Sequence, residues 1–194
     1  MTTNSLPPLV RARAFCDAFT LRVPILMAPM AGASPASLAI AVANAGGLGA
    51  CGALLMKPEA IRAWASEVRA QTNGSFQINL WLPDPAPVRD YAHEARVREF
   101  LGLWGPDVAP EAANVTPIDF AEQCEAMLEA GPAMVSSIMG LYPPEIVKRM
   151  KEKGILWFAN VTTVAEARQA VAVLIPASLA PALTPRDAMV EREH

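Results

Sequence analysis

Histidine is nearly absent from this chain and cysteine is sparse. Two histidines, His93 and His194, and three cysteines, Cys16, Cys51 and Cys124, are spread over 194 residues. No Cys/His group has metal-ligand spacing, which excludes a structural zinc site on spacing grounds. An odd, scattered set of cysteines reads as reduced thiols and not as a disulfide framework. Basic excess is also missing. The chain has 16 Lys+Arg against 19 Asp+Glu, a net charge of −3, which argues against a nucleic-acid partner. No apolar run reaches the ~18 residues of a membrane span. The nearest, residues 171–183, is broken by Pro176, Ser178 and Pro181. The N-terminus lacks the apolar core of a signal peptide, so a cytoplasmic protein with no membrane partner is expected. No G-x-G-x-x-G follows the first strand candidate, which counts against a Rossmann site. His93 lies in the charged stretch YAHEARVREF and reads as part of a solvated helix face rather than a catalytic group.

What is present is apolar. Hydrophobic residues make up 53% of the chain and charged residues 18%, enough for one domain, residues 1–194, with a buried core. Short, nearly continuous apolar runs at 24–28, 48–53, 76–82, 133–138 and 155–161 read as parallel strands buried on both faces. Helices fill the gaps. One spans about 35–45, with Ser34 and Pro35 expected at N-cap and N1. A second starts near Pro58, with Ile61, Trp64, Ala65 and Val68 on one face. A third is announced by Thr116 and Pro117 and closes at Gly131. A fourth is PPEIVKRMKEKG, whose basic last turn and Gly154 suit a helix end. A fifth begins at Thr163, where Thr163 to Glu166 reads as a capping box. A sixth strand is a further reading of 171–175. Strand–helix alternation means βαβ units with right-handed crossovers, and both a doubly wound sheet and a (β/α) barrel fit it. The segment 84–115 breaks the rhythm. It carries a charged helix, roughly 88–104, then a Pro/Asp/Asn-rich loop, and reads as an insertion after the third strand.

The glycine-rich stretch PMAGASPASLAIAVANAGGLGA invites a phosphate-loop reading, but its order is wrong for one. A phosphate cradle follows a strand and precedes a helix. Here the helix comes first, so Gly46, Gly47 and Gly49 are read as a helix-to-strand turn.

The segments LRVPILMAPMAGAS, VANAGGLGACGA, FQINLWLP, VSSIMGLYPPEIVKRMKEKGI and VTTVAEA occur in that order. Together they resemble the nitronate monooxygenase (2-nitropropane dioxygenase) family over about residues 21–170. The resemblance implies an FMN-dependent (β/α)8 barrel of the TIM type that oxidises alkyl nitronates with O2. Enoyl-acyl-carrier-protein reductases that use FMN are close relatives. It also implies roles for particular residues. Ala28, Pro29 and Met30 match the stretch that lies against the flavin. Met30 offers soft apolar surface, though without the resemblance it reads first as plain core. Asn79 matches the family's asparagine near the end of the third strand. If buried, its carboxamide needs partners, which a flavin or a neighbouring strand end can supply. Ser136 and Ser137 are candidates for substrate or flavin hydrogen bonds, or else satisfy a strand end.

Two departures bear on function. The well-studied branch carries a histidine base in V-S-x-H-x-G, and here Ile138 holds that place and cannot accept a proton. Deprotonation of a neutral nitroalkane by histidine is therefore in doubt, whereas a nitronate arrives already deprotonated. Beyond VTTVAEARQA the family's glycine-rich, phosphate-binding turns have no counterpart, so the expected barrel is incomplete, with five to six βα units. Three functions are carried forward: an FMN-dependent nitronate oxidoreductase, a flavin-dependent enoyl reductase-like protein, and a non-catalytic partial barrel that associates with a second copy of itself.

Overall fold

A computed structural model describes residues 7–174 except 86, 87 and 115. The chain runs α1 (Pro8–Phe19), α2 (Ala36–Asn44), β1 (Gly49–Gly52), α3 (Pro58–Gln71), β2 (Phe76–Trp81), α4 (Tyr91–Gly102), a 3-10 turn (Pro110–Ala113), α5 (Phe120–Ala130), β3 (Met134–Ile138), α6 (Pro144–Glu152), β4 (Leu156–Ala159) and α7 (Val164–Leu174). The strands form one sheet in the order β1-β2-β3-β4. Every pairing is parallel. Consecutive strands are therefore neighbours, with no reversal of order. That is the winding of a (β/α) barrel and not of a doubly wound sheet.

Period-two alternation divides the strand side chains between two faces. Cys51, Ile78, Leu80, Val135 and Trp157 turn outward and pack against Ile40 of α2, Ile61, Trp64 and Val68 of α3, Met127 and Leu128 of α5, and Val147 and Met150 of α6. This is the principal core. Leu48, Ala50, Gly52, Gln77, Asn79, Trp81, Met134, Ser136, Leu156 and Phe158 share the opposite, inner face by register.

The expected first strand, residues 24–28, is a single parallel bridge, Leu26 to Leu48. Leu48 N–H donates to Ile25 and Met27 N–H donates to Leu48. The Met27 carbonyl, next in line for a parallel ladder, instead accepts the Gln77 side-chain amide at 3.0 Å. Pro24 and Pro29 carry no N–H to extend the pairing. The segment nevertheless takes the strand's position at the sheet edge, so five βα units are present in the expected order.

Five further details depart from expectation. Pro35, not Ser34, is the N-cap of α2, because the Ser34 hydroxyl turns back to accept Met30 N–H at 2.8 Å. Residues 171–174, assigned in part to a sixth strand, are the last turn of α7, and Ile175 lies outside the described residues. The run EARQAVAVL keeps a helical reading once α7 is started by Thr163, whose hydroxyl accepts Glu166 N–H at 3.1 Å. The return bond of the capping box reaches Thr162 N–H at 2.7 Å instead of Thr163. The third helix begins at Phe120, because Asp119 caps it by accepting Glu122 N–H at 3.0 Å. Finally, α1 has no counterpart among the expected elements. Its Cys16 and Phe19 pack with Leu21, Leu48 and Met134 and close the amino end of the inner face. The glycine turn is a helix stop. Gly46, at φ 92°, and Gly47 donate to the Ala43 and Val42 carbonyls at 2.9 and 3.0 Å, the bonding of a Schellman cap.

Candidate functional site

The carboxyl ends of the parallel strands place two of the expected residues, Asn79 and Ser136, in one row. Gly52, Asn79, Ser136 and Phe158 are in register across β1 to β4. The loop after the first strand position passes directly over the near end of this row. A Cβ at Gly52 would stand 2.5 Å from Ala31 N and 2.6 Å from the Met30 carbonyl carbon, so only glycine admits this approach. With strands ~4.8 Å apart, Met30–Ala31, Asn79 and Ser136 occupy neighbouring positions on one face.

The Ala28–Pro29–Met30 loop is held from within. Met30 donates to Ser34 Oγ at 2.8 Å, and its carbonyl accepts Ala33 N–H at 3.0 Å. The Ser34 carbonyl in turn accepts the Trp64 indole N–H at 3.1 Å. Both backbone groups of Met30 are therefore engaged inside the loop, and its half-exposed side chain is what it presents outward. Beneath the loop, Gln123 of α5 donates to the carbonyls of Ala53, Leu54 and Met56 at 3.2, 3.3 and 2.8 Å, fixing the turn that leaves β1.

Asn79 is buried. Its Nδ2 donates to the Ser136 carbonyl at 3.2 Å and to Ser136 Oγ at 2.9 Å. A carbonyl can only accept, so nitrogen faces β3 and Oδ1 faces away. Among the described residues Oδ1 has no hydrogen-bond partner. Ser136 Oγ donates onward to Gln77 Oε1 at 3.4 Å. Ser137 is on the other face. It is fully buried, and its Oγ accepts the Trp157 indole N–H at 3.0 Å, so the two serines are not brought together. Ile138, in register with Trp81, closes the carboxyl end of the row. Met139 follows it in the left-handed region at φ 68°, a conformation rare outside glycine. His93 is exposed on α4, away from the row, its Nδ1 3.5 Å from Arg96. Gly52 and Phe158 in the row, and Gln77 two residues before Asn79, carried no expectation. The signal for Gln77 was the alternation in FQINLW, which puts two carboxamides on one strand face.

The arrangement fits a flavin ring. It offers soft apolar surface at Met30, a close backbone pass at Gly52, and at Asn79 Oδ1 an acceptor that has no hydrogen-bond partner among the described residues and suits a ring N–H. Among the described residues no group of three or more His, Cys, Asp or Glu could hold a metal ion. No helix there is long and apolar enough to cross a membrane.

Comparison with known proteins identifies the family. The family model described as nitronate monooxygenase matches residues 13–190. Nitronate monooxygenase of Paraburkholderia phytofirmans is 33% identical over 174 residues, covering 87% of this chain and 47% of the relative. That of Pseudomonas aeruginosa is 33% identical over 161 residues, covering 78% and 46%. Among solved structures, nitroalkane oxidase from Streptomyces ansochromogenes superposes with a TM-score of 0.67 at 28% identity, covering 82% of this chain and 46% of that one. FabK from Thermotoga maritima gives a TM-score of 0.57 at 26% identity, covering 82% and 40%. The chain thus spans about half the length of the relatives it matches. With its sheet winding, its row of strand-end residues and a family match over most of its length, the chain belongs to the nitronate monooxygenase family.

Proposed function

We propose that this chain carries the Met30–Asn79 part of an FMN site in an oxidoreductase that oxidises alkyl nitronates with O2, in the cytoplasm. The observation that carries the reading is Asn79 Oδ1, without a hydrogen-bond partner among the described residues, beside the Met30–Ala31 pass over Gly52. FMN, when bound, supplies the redox chemistry with O2. The residues of this chain hold and shape the site. Met30 gives apolar contact to a ring, Asn79 accepts a ring N–H, and Trp81 and Ile138 exclude water. Ser136 spends its proton on Gln77 Oε1, so it meets a ligand as an acceptor or not at all. Ser137 retains only its contact with Trp157 in this reading. No titratable side chain stands in the row, which suits a substrate that is already an anion.

The test is reconstitution of the chain with FMN, followed by absorbance and O2 consumption. Ethyl nitronate should support O2 uptake, and neutral nitroethane at the same pH should not. A chain that takes up FMN but oxidises reduced nicotinamide with an enoyl thioester instead supports the enoyl-reductase reading. A chain that retains no flavin at any concentration overturns both. The third reading, a non-catalytic partial barrel, is favoured by one observation. Leu26, Trp81, Leu156 and Phe158 on the inner face are all more than a third exposed.

A further inference from the structure

Beneath the Asn79 row lies a second row, one residue pair toward the amino ends. Ala50, Gln77, Met134 and Leu156 are in register there. Gln77 is buried, yet it is polar and faces the inner side. Both ends of its amide are engaged. Nε2 reaches across β1, over the small Ala50, to the Met27 carbonyl at 3.0 Å. Oε1 accepts from Ser136 Oγ at 3.4 Å. The Met27 carbonyl fixes the orientation of the amide, since only nitrogen can donate to it. With Asn79 Nδ2 donating to Ser136 Oγ, the bonds form one directed chain: Asn79 to Ser136 to Gln77 to Met27. Such chains strengthen their members and make a reversed amide costly.

We propose that Gln77 is a positioning residue that sets the hydrogen-bond polarity of the site above it. It takes the hydroxyl proton of Ser136, so that Ser136 Oγ presents a lone pair to Asn79 Nδ2. Asn79, whose nitrogen the Ser136 carbonyl also holds, is then anchored twice with its oxygen toward the open face, and the row is an acceptor for a ligand N–H. The same residue ties down Met27, the last residue before Ala28–Pro29–Met30, and so sets where that loop leaves the sheet. The inference rests on the flavin reading only for the identity of the ligand; the orientation of Asn79 is testable without it.

Two variants in the full chain separate the parts. Gln77→Leu removes both bonds at similar volume. Gln77→Glu keeps an acceptor for Ser136 but opposes the Met27 carbonyl. Hydrogen exchange of the Asn79 side-chain amide, followed by NMR, reads its hold directly. Gln77→Leu should speed that exchange about tenfold, the scale of one lost hydrogen bond, while Gln77→Glu stays near wild type. Lumiflavin, a flavin ring without phosphate, should bind Gln77→Leu about tenfold more weakly by fluorescence quenching. Its 3-methyl derivative, which lacks the ring N–H, should bind wild type and Gln77→Leu alike. Unchanged Asn79 exchange in Gln77→Leu overturns the proposal. Should that variant not fold, faster Asn79 exchange in Gln77→Glu than in wild type overturns it equally. Lumiflavin that binds neither protein counts against the flavin reading alone, because the exchange comparison still decides the role of Gln77.

Discussion

Asn79 is the residue on which the functional reading turns. Its nitrogen is spent on Ser136 and its oxygen has no partner among the described residues, so Asn79→Ala removes the acceptor. Flavin retained after dialysis should fall about tenfold, measured by absorbance, for the loss of one buried hydrogen bond. Unchanged retention would remove Asn79 from the site. Gly52 is a second single-residue test. Gly52→Ala forces a Cβ against the Met30–Ala31 backbone and should cost ~1–3 kcal/mol as overpacking, read as a lower urea midpoint together with weaker flavin retention. The cysteines behave as the sparse count implied. All three are free and buried. Burial pushes the Cys51 and Cys124 thiols up to about 12, with the Glu125 charge adding to the effect at Cys124. In the unfolded chain they ionise near the ordinary ~8.5. Between these values the unfolded state holds fewer protons, so stability present below about pH 8.5 is lost as pH rises toward 12. Denaturation midpoints measured across that window should fall more steeply for wild type than for the Cys51→Ala, Cys124→Ala double variant. Equal slopes would mean the thiols are not shielded.

At the scale of elements, α5 is where local signals and packing meet. Asp119 caps it at 3.0 Å, and Gly131 ends it in the left-handed region at φ 55°. Asp119→Ala should cost about 1 kcal/mol. Leu128, on the helix face that meets α3 and the sheet, is almost fully buried, and Leu128→Ala should cost ~2–5 kcal/mol through the cavity it leaves. Both are read from chemical denaturation. If Asp119→Ala proves the costlier of the two, the packing of α5 has been misassigned. The contrast between α5 and α4 also explains what was legible. The cap residues, apolar stripe and glycine stop of α5 are local, and the sequence shows them. The α4 helix has the same kind of local signal, an Asp90 side chain accepting His93 N–H at 2.9 Å, but it buries no residue. Nothing local distinguishes a helix that joins the core from one that does not.

For the whole molecule, the decisive feature is a sheet that the described residues cover fully on one side only. Helices bury the outer face, while Leu26, Trp81, Leu156 and Phe158 remain accessible on the inner face beyond the part closed by α1. At ~25 cal/mol per Å² of apolar surface, covering such a face is a strong drive to associate. In solution the 194-residue chain should sediment as a species heavier than one copy. The double substitution Leu156→Glu, Phe158→Glu should shift it toward a single copy. A wild-type chain that stays a single, stable copy at high concentration would show that the inner face needs no partner.

The sequence by itself determined the order of the βα units, most helix positions and two members of the candidate row, Asn79 and Ser136. These follow from apolar periodicity, caps and turn glycines, all of which act over a few residues. The resemblance to the family likewise lay in contiguous motifs. Only tertiary structure decided that the winding is that of a barrel, because strand order depends on which segments meet, not on how each is built. It also decided that residues 24–28 make one bridge instead of a ladder, since Gln77, 50 residues away, takes the Met27 carbonyl. And it set Ser136 and Ser137 on opposite faces of the sheet. Adjacent letters in a sequence are farthest apart in environment when they fall on a strand, because the pleat sends one toward the site and the other into the core.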